Sequence, residues 1–89
     1  MTRIEILKRI DLLRDVFAYT LLHTRLLSIS QRICLTQERA AWLEVLEWFD
    51  QEQMIPKYVL PNHLEVKVQI IHKKIIETNW VKPKYEPLF

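Results

Sequence analysis

Cys34 lies two residues after Arg32, and a nearby cation shifts a thiol toward its nucleophilic thiolate. His23 is the histidine nearest to it in sequence that would serve as its base in a Cys–His nucleophile. The immediate context, I-C-L, reads instead as a small thiol packed among apolar neighbours. The three histidines, His23, His63 and His72, stand too far apart for a zinc-type ligand set, and neither H-E-x-x-H nor E-x-x-H occurs. Asp11 with Asp15, and Glu44 with Glu47, share helix faces, where carboxylates usually belong to solvent or to neighbouring cations such as Arg14. Glycine is absent from the chain, which excludes a Walker loop and a Rossmann fingerprint, since both need the backbone to approach phosphate. The expectation is a non-enzymatic protein with no cofactor, no bound metal and no small-molecule substrate.

Nucleic acid is the alternative partner class. Lys67, Lys73 and Lys74, with Lys82 and Lys84 near the end, would give a helix-turn-helix-like protein a phosphate-binding surface. Three features weigh against it. The net charge is only +2, the Lys-rich stretch has no Arg to read base edges, and the middle of the chain is acidic. Residues 1–36 carry six basic and three acidic side chains, 37–54 one and five, and 55–89 six and three. Such alternation favours packing of a central acidic helix between basic neighbours.

The elements that must position these residues read as helices. T-R-I-E at Thr2 to Glu5 is a capping box that starts a first helix near residue 3. Glu5 and Arg9 are four apart, in the order that favours an ion pair. No Pro or Gly follows until Pro56, so the spacing predicts one long helix over about 3–33, roughly 45 Å at 1.5 Å per residue, with a break near Ser28 and Ser30 as the alternative. Thr36 is placed to cap a second helix, about 37–53, with Trp42, Leu46 and Phe49 on one side and Trp48 pointing away from them.

Pro56 and Pro61 mark a connection. Beyond it, Leu64, Val68, Ile71 and Ile75 follow helical spacing, and Asn62 with Glu65 resembles another capping box, which predicts a third helix over about 63–79. Leu64, Val66, Val68 and Ile70 also alternate as a strand would, so an α+β fold with a short hairpin at 57–70 is the competing possibility. The ending W-V-K-P-K-Y-E-P-L-F reads as an extended tail, 80–89, beyond a single helical domain, 1–79. The expected fold is therefore all-α, with three helices.

Ile6, Ile10, Leu13 and Phe17 form one apolar seam on the first helix, while Leu22, Leu26, Ile29 and Ile33 form a second that points nearly opposite. A core needs one of them, unless the second and third helices cover opposite sides of successive halves of the first. The second seam, together with Trp48, Val66, Ile70, Trp80, Tyr85 and Phe89, therefore reads as a partner-binding surface. The function expected on this basis is a small protein–protein interaction module: a homo-oligomer, most simply a dimer, or a subunit, adaptor or inhibitor of a larger protein. A lone Cys34 forms no internal disulfide and the opening lacks a signal-peptide pattern, so the cytoplasm is the expected location. Apolar stretches are only a few residues long, too short for a membrane span.

Overall fold

The computed structural model describes residues 2–49 and 55–81, which build three α-helices: α1, Arg3–Leu22; α2, Ile29–Glu47; and α3, Asn62–Glu77. The fold is all-α, and among the described residues there is no strand, so 57–70 does not form the alternative hairpin. Helix α1 is the central element, packed against both α2 and α3. The seam Ile6, Ile10, Leu13 and Phe17 is buried as its spacing requires, and Val16, Ala18, Tyr19 and Thr20 are buried with it, so the second half of α1 is enclosed on several sides. Leu35, Trp42 and Val45 from α2, and Leu64, Val68, Ile71 and Ile75 from α3, complete the core.

The first helix begins as the sequence indicates. The Thr2 hydroxyl accepts the Glu5 N–H at 3.2 Å, and the Glu5 carboxylate accepts the Thr2 N–H at 3.3 Å. It ends at Leu22 and does not run to 33, and α2 starts at Ile29, well before 37. A second capping box causes the break. Ser28 Oγ accepts the Gln31 N–H at 3.1 Å, and Gln31 Oε1 accepts the Ser28 N–H at 2.9 Å. An N-cap of this kind contributes about 1 kcal/mol. Two further contacts fix the turn. Leu27 is fully buried, and Arg32 Nη1 donates to the Thr20 carbonyl at 3.1 Å, occupying an acceptor at the end of α1. The reversal brings Leu35, Trp42 and Val45 back over α1, where a straight helix would have left that side of the seam open. Thr36 consequently sits inside α2 and donates to the Ile33 carbonyl rather than capping a helix.

Helix α3 starts one residue earlier than a capping box at Asn62 and Glu65 would require: Pro61 is the N-cap and has no side-chain acceptor, so the expected box does not form. Its far end shows how a chain without glycine closes a helix. Asn79 takes φ 52°, in the left-handed region; its N–H donates to Ile76 and that of Trp80 to Ile75. These are the paired bonds of a Schellman motif, with Asn standing where Gly is usual. The motif returns Trp80 to the core, edge-on to Tyr19 with ring centroids 5.4 Å apart. Trp80 is thus packed, half-buried, on its own domain. Tyr85, Phe89, Lys82 and Lys84 lie outside the described residues.

Candidate interaction surface

A part-buried charged cluster, centred on the buried Glu38, joins all three helices. Arg9 of α1 donates to Glu38 of α2 through Nε at 2.7 Å and Nη2 at 3.2 Å, and to Glu65 of α3 through Nη1 at 3.0 Å and through Nη2. Glu38, only 2% exposed, also accepts Trp42 Nε1 at 2.9 Å and the Leu60 N–H at 3.0 Å. Glu65 accepts Gln69 Nε2 at 2.7 Å. Each Glu38 oxygen therefore receives two donors, which satisfies the carboxylate and leaves it no acceptor site for a substrate proton. Burial lowers the Arg9 pKa, but the bonds to Glu38 and Glu65 outweigh it and hold the guanidinium above its ordinary range. The Arg9 hydrogen bond is also the chief reason the Glu65 carboxyl lies below its usual value. The cluster is a structural clasp. Glu5, expected to pair with Arg9, caps its own helix instead, and Arg9 reaches across the fold.

The second seam divides at the new turn. Leu22 is the last residue of α1, Leu26 lies on the α1–α2 connection, and Ile29 and Ile33 stand on the first turns of α2. Ile29 is 69% exposed and Ile33 51%, whereas Leu26 is half-buried against the core and belongs partly to it. Ile29 and Ile33 of α2 line a groove of about 450 Å³ together with Phe17 and Leu21 of α1. Arg32 and Thr36 supply its polar groups. An apolar trough with few polar atoms at its edge is the usual geometry of a site that takes a partner side chain or helix.

Trp48, at the C-cap of α2, is 55% exposed. It lies beyond Leu43 and Glu44, which are also exposed, rather than beside the groove at the other end of the helix. Val66 and Ile70 project from α3 away from the buried Leu64, Val68 and Ile71 stripe, as helical spacing requires. The Lys-rich set is not one surface. Lys73 turns to Glu77 at 3.8 Å, while Lys67 and Lys74 border a small cleft of about 140 Å³ with Leu26, Ile70 and Ile71.

Cys34 is half-buried, and interaction with its side chain is the chief reason the Tyr58 phenol's pKa lies above its ordinary value. His23 is stacked on Tyr19 at 4.3 Å between ring centroids. Among the described residues no group of three His, Cys, Asp or Glu side chains is placed to hold a metal ion, and no helix is long and apolar enough to cross a membrane.

Sequence reasoning missed the clasp and held the break near Ser28 and Ser30, which the fold adopts, only as the alternative to one long helix. The S-x-x-Q spacing of Ser28 and Gln31 carried the signal for the turn. No local pattern carried the signal for the clasp, because Arg9, Glu38 and Glu65 are separated by 29 and 56 residues. In comparisons with models of protein families, with characterised proteins and with solved structures, the chain matches none.

Proposed function

We propose that this protein is a small non-enzymatic protein–protein interaction module, and that the groove beside the start of α2 is its principal docking surface. One observation carries the reading: Ile29 and Ile33, two β-branched aliphatic side chains one helical turn apart, stand exposed against Phe17 and Leu21 in an apolar trough. Covering a large aliphatic side chain fully is worth about 1.5–3 kcal/mol before ordering costs, so a partner that fills this trough gains affinity there. The exposed Val66 and Ile70 on α3 and Trp48 on α2 offer secondary contacts on other faces. The occupant is a second copy of the chain or a larger protein of which this one is a subunit, adaptor or inhibitor, in a cytoplasmic setting.

Light scattering across a range of concentrations, with and without a partner captured by pull-down, tests the reading. Association that disappears in the Ile29→Asp/Ile33→Asp double variant, with helicity unchanged by circular dichroism, is the expected result. Both residues are exposed, so these substitutions separate interface from core. Leu26→Asp would not, since Leu26 contributes to the core. A chain that is monomeric throughout and captures nothing, or an association indifferent to the double variant, overturns it. The nucleic-acid alternative draws support only from Lys67 and Lys74, and steep loss of duplex affinity with added salt is the behaviour it requires.

A further inference from the structure

A second surface lies on the other side of the α1–α2 connection, and its chemistry differs from that of the Ile29 groove. Tyr19, Leu22, His23, Arg25, Leu26 and Lys74 line a recess of about 420 Å³. Leu26 and Lys74 also belong to the small cleft that continues along α3 past Ile70, Ile71 and Lys67. The two form one surface with an apolar floor, Leu26, Ile70 and Ile71. Its edges are cationic: Arg25 on the connection, Lys67 and Lys74 on α3. No Asp or Glu lines either part, and Arg25, Lys67 and Lys74 have no carboxylate within ion-pair distance among the described residues. Lys73, one position from Lys74, does have such a partner in Glu77.

We infer that this surface docks an acidic amphipathic helix of a partner protein. The inference rests on the interaction-module reading and names the partner chemistry for a separate face. Charge complementarity sets the sign. Arg25, Lys67 and Lys74, without a carboxylate partner among the described residues, place like charge along one surface, and carboxylates arriving from outside relieve that repulsion and steer the encounter. The apolar floor sets the shape. Leu26 and Ile70 are covered by an apolar stripe, which phosphate backbones lack and an amphipathic helix presents along one face. Lys67 and Lys74 are seven residues apart, two turns or about 10 Å along α3, so they meet carboxylates placed two turns apart on a helix lying alongside.

Selection of a random peptide library displayed on phage against the immobilised protein tests the inference, with the enriched peptides titrated against wild type and Arg25→Glu/Lys67→Glu/Lys74→Glu. The expected outcome is enrichment of net-negative sequences with apolar residues at helical spacing, whose affinity falls about tenfold or more in the triple variant. Lys67→Gln/Lys74→Gln, a gentler change whose helicity is checked by circular dichroism, shows a smaller loss in the same direction. Enrichment without acidic residues, indifference to the triple variant, or no enrichment overturns the inference. Tighter binding of a short DNA duplex or of phosphatidylglycerol vesicles through the same three cations also overturns it. Peptides that lose affinity with Ile29→Asp/Ile33→Asp but not with charge reversal overturn this inference while leaving the interaction-module reading intact. No peptide, no self-association and no captured partner would remove both.

Discussion

Arg9 and Arg25 are both arginines close to α1, and their surroundings are opposite. Arg9 is held by two carboxylates from two other helices, and the carboxylate of Glu38 is in turn completed by an indole and a backbone N–H. Arg25 stands exposed on the α1–α2 connection with no carboxylate partner among the described residues. Ile6, Leu13 and Val68 are fully enclosed in the core, while Leu22, Ile29, Ile33 and Ile70 are exposed, as are Ile4 and Leu7 at the start of α1. A small domain has little interior, and every polar group it buries must be matched. Arg9, Glu38 and Glu65 are matched across three helices, whereas Arg25, Lys67 and Lys74 have no carboxylate partner among the described residues. On the proposed reading, the clasp serves folding and the surfaces around the α1–α2 connection serve association.

The largest test of the contrast is Arg9→Ala. It leaves Glu38 buried without its cation, at a cost of about 3–5 kcal/mol. That is a large share of the roughly 4–13 kcal/mol expected for a chain of this length, so urea denaturation should show a midpoint far below wild type or no folded baseline. Next in size is the Ile29→Asp/Ile33→Asp pair, which should weaken association by about 2–4 kcal/mol if both are interface anchors, while moving stability by no more than about 0.5 kcal/mol. An unfolded double variant would erase the distinction between the two regions.

Two smaller effects refine the folding side. Ser28→Ala removes the cap that begins α2 and should cost about 1 kcal/mol in thermal or chemical unfolding, with Gln31→Ala costing less. Acid should act on the clasp through Glu65. Its folded pKa lies below its ordinary value of 4.5, so its contribution is fully present above about pH 4.5 and is lost as the pH falls through the lower, folded value. Because Glu65 is about one-third exposed, the loss should stay under about 1 kcal/mol, and Glu65→Gln should abolish that part of the pH dependence.

The sequence carried the local features and missed the distant ones. The Thr2 capping box and the buried seam of α1 follow from a cap and a spacing that act within one or two turns, and α3, to within a residue or two of its ends, follows from apolar spacing alone, since the expected Asn62–Glu65 box does not form. The turn at 23–28 was equally local, since Ser28 and Gln31 form the same kind of box. An unbroken run without Pro or Gly obscured it, because absence of a breaker does not prevent a strong cap from starting a new helix. That turn changed the meaning of the second seam: its residues do not share one helix, and only Ile29 and Ile33 line the α2 groove. Leu22 was rightly expected to be exposed, and Leu26 proved half core. Trp80 read as the start of an extended tail that either packs back or docks elsewhere, and the choice was open because the left-handed role of Asn79 has no strong sequence signature. The clasp was invisible because pairing Arg9 with Glu5 was the nearer option, and only tertiary structure chooses between them.

The most direct measurement is the solution mass of wild type beside Ile29→Asp/Ile33→Asp, by light scattering at rising concentration and again with any captured partner. Wild type heavier than its 10.8 kDa monomer, alone or with a partner, and a double variant that is fully helical and monomeric is the predicted result. Wild type that stays at 10.8 kDa in both settings, or a double variant that either associates equally well or unfolds, would contradict it.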